Sequence, residues 1–181
     1  ATAGITGINA QSYTINGTST DNGAEAVLMK YARPRQKADT AIVKNGTYTF
    51  AGETSGATFA EVHIGSMSSN PIFLEGNISI DAAGKISGGK EQQCLNQWNT
   101  RVRPKLQLIR QTMEEYNELR QSGKPVADSI TNHYMGIYQA TMQELVDMLI
   151  PCFEEYTDMK FPAFFLNMVQ AYLPQEKVLA L

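Results

Sequence analysis

The front half of the chain alternates between apolar and polar positions, and the rear half advances in steps of three and four. Between Thr40 and Gly52 the text TAIVKNGTYTFAG carries apolar residues at every second position on both sides of Asn45-Gly46. That pair accepts the positive φ angles of a type I′ turn, and a two-residue loop fixes the register. The pattern therefore predicts a hairpin with Lys44 opposite Thr47, Val43 opposite Tyr48, Ile42 opposite Thr49 and Ala41 opposite Phe50. Ala41, Val43, Tyr48 and Phe50 would face the core, and Ile42, Lys44, Thr47 and Thr49 the solvent.

From Tyr13 to about Ser87, runs rich in Val, Ile, Tyr, Phe and Thr are broken by Gly, Asn, Asp and Pro roughly every 8 to 12 residues, a spacing that argues antiparallel sheet. Tyr13-Thr14-Ile15 opens the series, Thr20 to Gly23 turns the chain, and Val27, Met29 and Tyr31 share one side of the next strand. Arg33 to Lys37 reads as a charged loop. In Phe59 to Ile64 the apolar set Ala60, Val62 and Ile64 faces inward, with Glu61 and His63 on the polar side. Ser66 to Pro71 reads as a loop. Ile72 to Asp81 splits at Gly76-Asn77 into two strand pieces, with Ile78 and Ile80 pointing one way and Asn77, Ser79 and Asp81 the other. Ile86 closes a last short strand.

The period changes after Gly88-Gly89. Leu95, Trp98, Val102, Leu106, Ile109, Met113, Tyr116 and Leu119 form one helical stripe that stops at Ser122-Gly123-Lys124-Pro125. Pro104 either kinks that helix or opens a new one in its first turn. A second stripe runs Val126, Ile130, Tyr134, Ile137, Thr141, Leu145, Met148 and Cys152, with Pro151 marking a kink or an end. Two such stripes joined by a short Gly-Pro turn predict an antiparallel helical hairpin. Two short helices follow, over Pro162 to Leu173 and Pro174 to Leu181, each opened by a proline.

The fold class is therefore α+β: an N-terminal antiparallel β-sandwich or open barrel over residues 13–89, then a C-terminal helical segment over 90–181. Residues 1–12 precede both as a flexible stub. Ala1 to Ala10 is small, apolar and uncharged, and reads either as the remnant of an export signal ending near Ile8-Asn9-Ala10 or as a plain N-terminal strand.

Composition narrows the partners more than the chemistry. Across 181 residues with 43% hydrophobic content the chain can bury a core, and its formal charge of -3 is evenly spread. Neither half has the positive field that tracks phosphates, so nucleic acid is not an expected partner. No apolar run approaches the ~20 residues of a membrane span. Cys94 and Cys152 lie far apart with no CxxC, which is neither a metal nor a redox spacing; they read as two buried thiols or as one disulfide tying two helices.

Candidate chemistry is sparse. His63 and His133 have no ligand-spaced companions and read as surface or satisfied histidines. Glu114, Glu115 and Glu118 read as the wet face of the first helix, with Arg110 to Glu114 a helical pair, and Glu154, Glu155 and Asp158 read likewise. Arg101, Arg103, Lys105 and Arg110 form a basic strip beside Trp98, either a wet face or a dock for an anion. Gly88-Gly89 lacks the spacing of a phosphate loop or a dinucleotide fingerprint, and Ser66, Ser68 and Ser69 lack a nucleophile frame. Phe153, Tyr156, Phe161, Phe164, Phe165 and Tyr172, with Met159 and Met168, read as core packing or as a surface for another domain. No catalytic, cofactor-binding or metal-binding residue is assigned.

One resemblance adds a setting. The strings Tyr13 to Thr18, Asp21-Asn22-Gly23, Val27 to Tyr31, Asp39 to Gly52 and Phe73 to Asp81 resemble the domain of unknown function that precedes thioredoxin-like (AhpC/TSA-type) domains in exported bacterial thiol-disulfide proteins. The resemblance covers roughly residues 13 to 100. It implies a periplasmic or cell-envelope location and a protein partner, whether the chain's own thioredoxin-like domain, a client or a second copy in a homodimer. Relatives carry a downstream W-C-x-x-C pair, whereas Trp98 here is not followed by cysteine, so no catalytic residue carries over. The expected role is a non-catalytic module that positions or dimerises a redox domain or binds its client. The alternative is a free-standing envelope protein that binds a peptide, glycan or lipid.

Overall fold

The structure, a computed structural model, describes residues 10–32 and 34–170. Expectations placed on Ala1 to Asn9, on Arg33, on Tyr172 and on a helix over Pro174 to Leu181 lie outside the described residues. The fold class is α+β as expected, and the chain divides into two compact units between Asn96 and Gln97. The strands are β1 (Gln11–Thr18), β2 (Glu25–Lys30), β3 (Gln36–Ile42), β4 (Thr47–Thr54), β5 (Phe59–Ile64), β6 (Met67–Ser68), β7 (Ile72–Phe73), β8 (Gly76–Ile80) and β9 (Ile86–Ser87). The helices are α1 (Lys90–Gln121), α2 (Asp128–Asp147), α3 (Leu149–Glu155) and α4 (Phe161–Val169).

Two open sheets make up the front unit. One has the order β4-β1-β8-β9; in the other, ordered β3-β2-β5-β6, β7 also pairs with β5. The core draws on both: Tyr13, Ile15, Tyr48, Phe50, Ile78 and Ile80 come from the first sheet, and Ala26, Leu28, Ala60 and Val62 from the second. One pairing departs from the antiparallel expectation, since β1 runs parallel to β8, with Ile15 opposite Ile78. The two are joined through the whole second sheet, and a long crossover is what parallel pairing needs. Gln11 and Ser12, expected in the stub, are the first residues of β1 and pair with Thr54 and Glu53.

The Asn45-Gly46 turn forms, with φ of 52° and 76°, but the hairpin behind it does not zip. Lys44 and Thr47 exchange both backbone hydrogen bonds, at 2.9 and 3.0 Å. Beyond them the strands part: β3 pairs with β2 and β4 with β1, so the expected partnerships Val43–Tyr48, Ile42–Thr49 and Ala41–Phe50 are not made. Val43 instead donates its N–H to the Ala24 carbonyl and accepts from Gly23 N–H, 2.9 Å each. The inward face is nevertheless as expected: Val43, Tyr48 and Phe50 are buried, Ala41 is half-buried, and Ile42, Lys44, Thr47 and Thr49 are exposed. Alternation fixes the face that a strand buries, and two strands facing each other across a sandwich bury the same positions as two lying side by side.

Smaller departures follow the same logic. Ala26 and Leu28 form the core side of β2, leaving Val27, Met29 and Tyr31 on the opposite, half-buried side. β3 starts at Gln36, inside the expected loop. Met67-Ser68, also expected as loop, returns on His63 and Ile64 as β6 after a turn at Gly65.

The first turns of α1 are tied to the sheets by Gln92, which is buried. Its Oε1 accepts from Phe73 N–H at 2.8 Å, and its Nε2 donates to the Pro71 carbonyl and to Asn96 Oδ1; Asn96 in turn donates to the Ile86 carbonyl at 2.8 Å. Polar side chains thus satisfy strand-end backbone groups that lack a ladder partner.

In the helical unit α1 runs unbroken through Pro104. α1 and α2 are antiparallel: Lys105 bonds Glu144 while Tyr116, further along α1, reaches back to Thr131 and Tyr134. α2 gives way to α3 at Met148; Pro151, in the first turn of α3, has no N–H to offer the Asp147 carbonyl. α4 carries Pro162 in its opening turn, where the missing donor costs nothing.

Candidate functional site

The densest polar constellation is centred on Glu61. Period-2 alternation puts Glu61 and His63 on one side of β5, the side opposite Ala60 and Val62. That side was expected to be wet, yet the Glu61 side chain is only 6% exposed. Cross-strand pairing sets Met29 opposite Glu61, which brings the end of β2 and the connection after it within reach. Tyr31 OH donates to Glu61 Oε2 at 2.8 Å, His63 Nε2 lies 2.7 Å from Oε1, and Arg35 Nη1 also bonds Oε1. The Arg35 guanidinium lies over the Tyr31 ring, 4.9 Å from its centroid.

A buried carboxylate is tolerated when its lone pairs are taken, and here a cation and two ring donors take them. Burial, and then the hydrogen bond to Glu61, pushes the Tyr31 hydroxyl well above its ordinary range. Arg35 is half exposed and His63 partly exposed. The carboxylate therefore acts as a buried anchor that fixes a surface guanidinium and a surface imidazole. The sequence alone leaves His63 without a companion and does not single out Glu61; their two-residue spacing on one strand is the signal that joins them.

A second feature sets a row of neutral polar side chains beside apolar surface from Tyr48 and Ile80. Asn16, Thr18, Thr47, Thr49, Ser79 and Ser87 line a cavity of about 530 Å³ on the first sheet, together with Asp81 and Lys85. The register explains the row: Asn16 lies opposite Thr49 on one side and Ser79 on the other, and Ser79 lies opposite Ser87. Thr49 Oγ1 donates to Asn16 Oδ1 at 3.2 Å. Asp81 Oδ1 accepts from the Ala83 and Lys85 N–H groups and is used in closing its own turn.

Both cysteines are free thiols, Cys94 half-buried and Cys152 fully buried, so the disulfide reading is not realised. Burial, then the carboxylate of Glu155, pushes the Cys152 thiol up to about 12, against a smaller downward pull from Arg101. That is the opposite of an activated thiol.

The basic strip is largely spent on ion pairs. Arg101 grips Glu155 through both Nη atoms, at 2.6 and 2.8 Å, and Lys105 bonds Glu144. The hydrogen bond from Arg101 holds the Glu155 carboxyl below its ordinary range. Arg110 and Glu114 form the expected helical pair, 3.7 Å apart and exposed. His133 is exposed and lies against the Tyr134 ring. Ser69 is occupied by backbone, accepting from Val62 N–H and donating to the Asn70 carbonyl. The late aromatics gather around Trp98, whose ring lies 6.0 Å from Tyr156, 6.4 Å from Phe161 and 5.5 Å from Phe165. Phe153 and Phe164 are half-buried at the margin, and Met168 is exposed. Among the described residues no group of three His, Cys, Asp or Glu side chains is placed to hold a metal ion, and no helix is long and apolar enough to cross a membrane.

These features define an α+β chain whose front unit is a pair of open sheets with a polar anchor at Glu61. Residues 13–95 match the family model described as a domain of unknown function (DUF4369). No curated protein and no solved structure matches the chain.

Proposed function

We propose that the chain is a non-catalytic module of an exported thioredoxin-like protein, one that positions or dimerises the redox domain or holds its client. The state of Cys152 carries this reading. Thiol–disulfide exchange needs an accessible thiolate, and a fully buried thiol pushed up to about 12 supplies almost none at neutral pH. The Glu61 cluster supports it too: each carboxylate oxygen is engaged, which suits a fixed recognition surface better than proton transfer. The redox company and the envelope setting are part of the proposal, suggested by the sequence resemblance of residues 13 to 100. In an insulin-reduction assay with dithiothreitol as electron source the chain should add nothing to the background rate. Turnover that disappears in Cys94→Ser or Cys152→Ser would overturn the proposal. The coding sequence beyond Leu181 tests the association: an in-frame W-C-x-x-C module supports it, and a stop codon favours the second reading.

That second reading is a free-standing envelope protein that binds a glycan, and the hydroxyl- and amide-lined cavity over Asn16 and Ser79 favours it. Neutral donors and acceptors in a row suit a polyhydroxylated ligand. Calorimetric titration with neutral oligosaccharides should then give heat that Asn16→Ala removes, and a flat titration across a panel of them would count against it.

A further inference from the structure

The outer strands of the two sheets are defended very unequally. β6 and β9 are two residues each, too short to recruit another strand. β3 is longer, but its pairing with β2 breaks register between Leu28 and Met29, and it carries Lys37 and Asp39 on an exposed stretch. A bulge and alternating charges are the devices that keep an edge from pairing with another chain. β4 has neither. Its eight residues pair with β1 in unbroken register from Thr47 to Thr54, Glu53 is its one charged residue, and it contains no proline. Among the described residues β1 is the sole strand ladder it joins, apart from the single Lys44–Thr47 bridge at its start. Along the other edge, half of its N–H and C=O groups point away from β1.

We propose that β4 is a homodimerisation edge, pairing antiparallel with β4 of a second copy of this chain to join two four-stranded sheets into one. A second copy is the occupant that the strand's own chemistry suits. A two-fold axis through the middle of an antiparallel pair sets residues of equal parity opposite each other, so a centre at Ala51 places Glu53 of one copy against Thr49 of the other and leaves Thr47 to its bridge with Lys44. The lone charge meets a hydroxyl, not its own like, and the exposed Ala51 meets its own copy on the axis. The edge pairing deepens the module reading above by naming a surface through which such a module would dimerise. Its failure is separable, because it is read from the mass and amide exchange of this chain and not from any redox partner.

Sedimentation equilibrium and amide hydrogen exchange on the 181-residue chain test it. The expected result is a species of twice the 20.0 kDa chain mass, with the amides of Thr47 to Thr54 slowed as concentration rises. Ala51→Lys, on the outward face and on the axis, should raise the dissociation constant on the order of tenfold or more by setting like charges across the two-fold. Lys37→Ala on β3 should leave it unchanged. A chain that stays monomeric at high micromolar concentration overturns the proposal, and so does a dimer in which the outward amides of β4 exchange as fast as in the monomer. The exchange readout uses the unsubstituted chain, so it stands even where the Ala51→Lys variant folds poorly.

Discussion

The two halves of this molecule bury their apolar residues in different ways. In the sheet unit nearly every inward position reaches the interior: Ile15, Leu28, Ala60, Ile72 and Leu74 have no exposed surface. In the helical unit the stripe on α1 fades along its length. Trp98 and Val102 are 2% exposed, Leu106, Ile109, Met113 and Tyr116 are half-buried, and Leu119 is 38% exposed. α2 mirrors this, from Leu145 with no exposed surface to Ile130 at 41%. Two sheets cover each other along their whole faces, whereas two helices cover one another only along a seam and need a third element for the remainder. α3 and α4 supply that element around Trp98, through Tyr156, Phe161 and Phe165. Equal periodicity in the sequence therefore corresponds to unequal depth in the fold.

The sharpest way to break that contrast is at Trp98. Trp98→Ala removes the ring on which Tyr156, Phe161 and Phe165 converge, and should cost about 3–5 kcal/mol of stability by denaturant titration. Among the described residues the buried indole Nε1 has no hydrogen-bond partner, so the loss comes from packing and not from a polar bond. A cost below about 1 kcal/mol would mean that the helical unit has no core comparable with that of the sheets.

Among the glycines of the sheet unit, Gly17 leaves the least room for a side chain. A Cβ there would stand 1.9 Å from the Tyr48 ring, which fills the space that glycine leaves on β1. Gly17→Ala should cost about 1–3 kcal/mol, the range of overpacked cores. Gly17→Ala combined with Tyr48→Leu should lose less than the two single effects added, since the same space is in dispute. Additive losses would show that the ring is not what excludes the methyl. Glu61→Ala belongs to the same range, about 1–3 kcal/mol, because it strips the shared acceptor from Tyr31, Arg35 and His63.

How much of this was legible in the sequence follows from which interactions have a local signature. The inward faces of β4 and β8, the stripe of α1 and the turn at Asn45-Gly46 are set by neighbours along the chain, and each lies where alternation or helical stepping puts it. The pairing of β4 with β1, the parallel pairing of β1 with β8 and the gathering of aromatics on Trp98 depend on residues tens of positions apart. Alternation is indifferent to those choices, because either partner of β4 would have buried Tyr48 and Phe50. Glu61 falls between the two cases: its spacing to His63 is local, but its burial depends on Tyr31 and Arg35 in the connection between β2 and β3.

Alkaline pH separates the halves by a smaller effect. The folded Cys152 thiol holds its proton up to about 12, against an ordinary value of 9.0. Below about pH 9 the folded and unfolded thiols are both protonated and nothing is lost. Above it the unfolded chain releases its proton while the folded one retains it, so stability falls as pH climbs toward the folded value. Tyr13, Tyr31 and Tyr48 in the sheet unit are also raised, from 10.0, and act with the same sign one pH unit later. Denaturant midpoints taken from pH 7 to pH 11 should begin to drop near pH 9, and in Cys152→Ala the drop should start nearer pH 10. An unchanged onset in that variant would place the first titration elsewhere.

The smallest expected effect tests the contrast from its other end. Leu119 belongs to the same helical stripe as Trp98, and a reading from periodicity alone would give the two similar weight. Its surface is already 38% open, so Leu119→Ser removes little area from a buried contact and should change stability by no more than about 0.5 kcal/mol. The same holds for Ile130→Ser across the hairpin, at 41% exposure. A loss of about 2 kcal/mol or more at either position would require that the far end of the hairpin be covered in solution. Repeating the measurement at tenfold lower protein concentration would then tell cover by a second copy, which weakens on dilution, from cover within one chain, which does not.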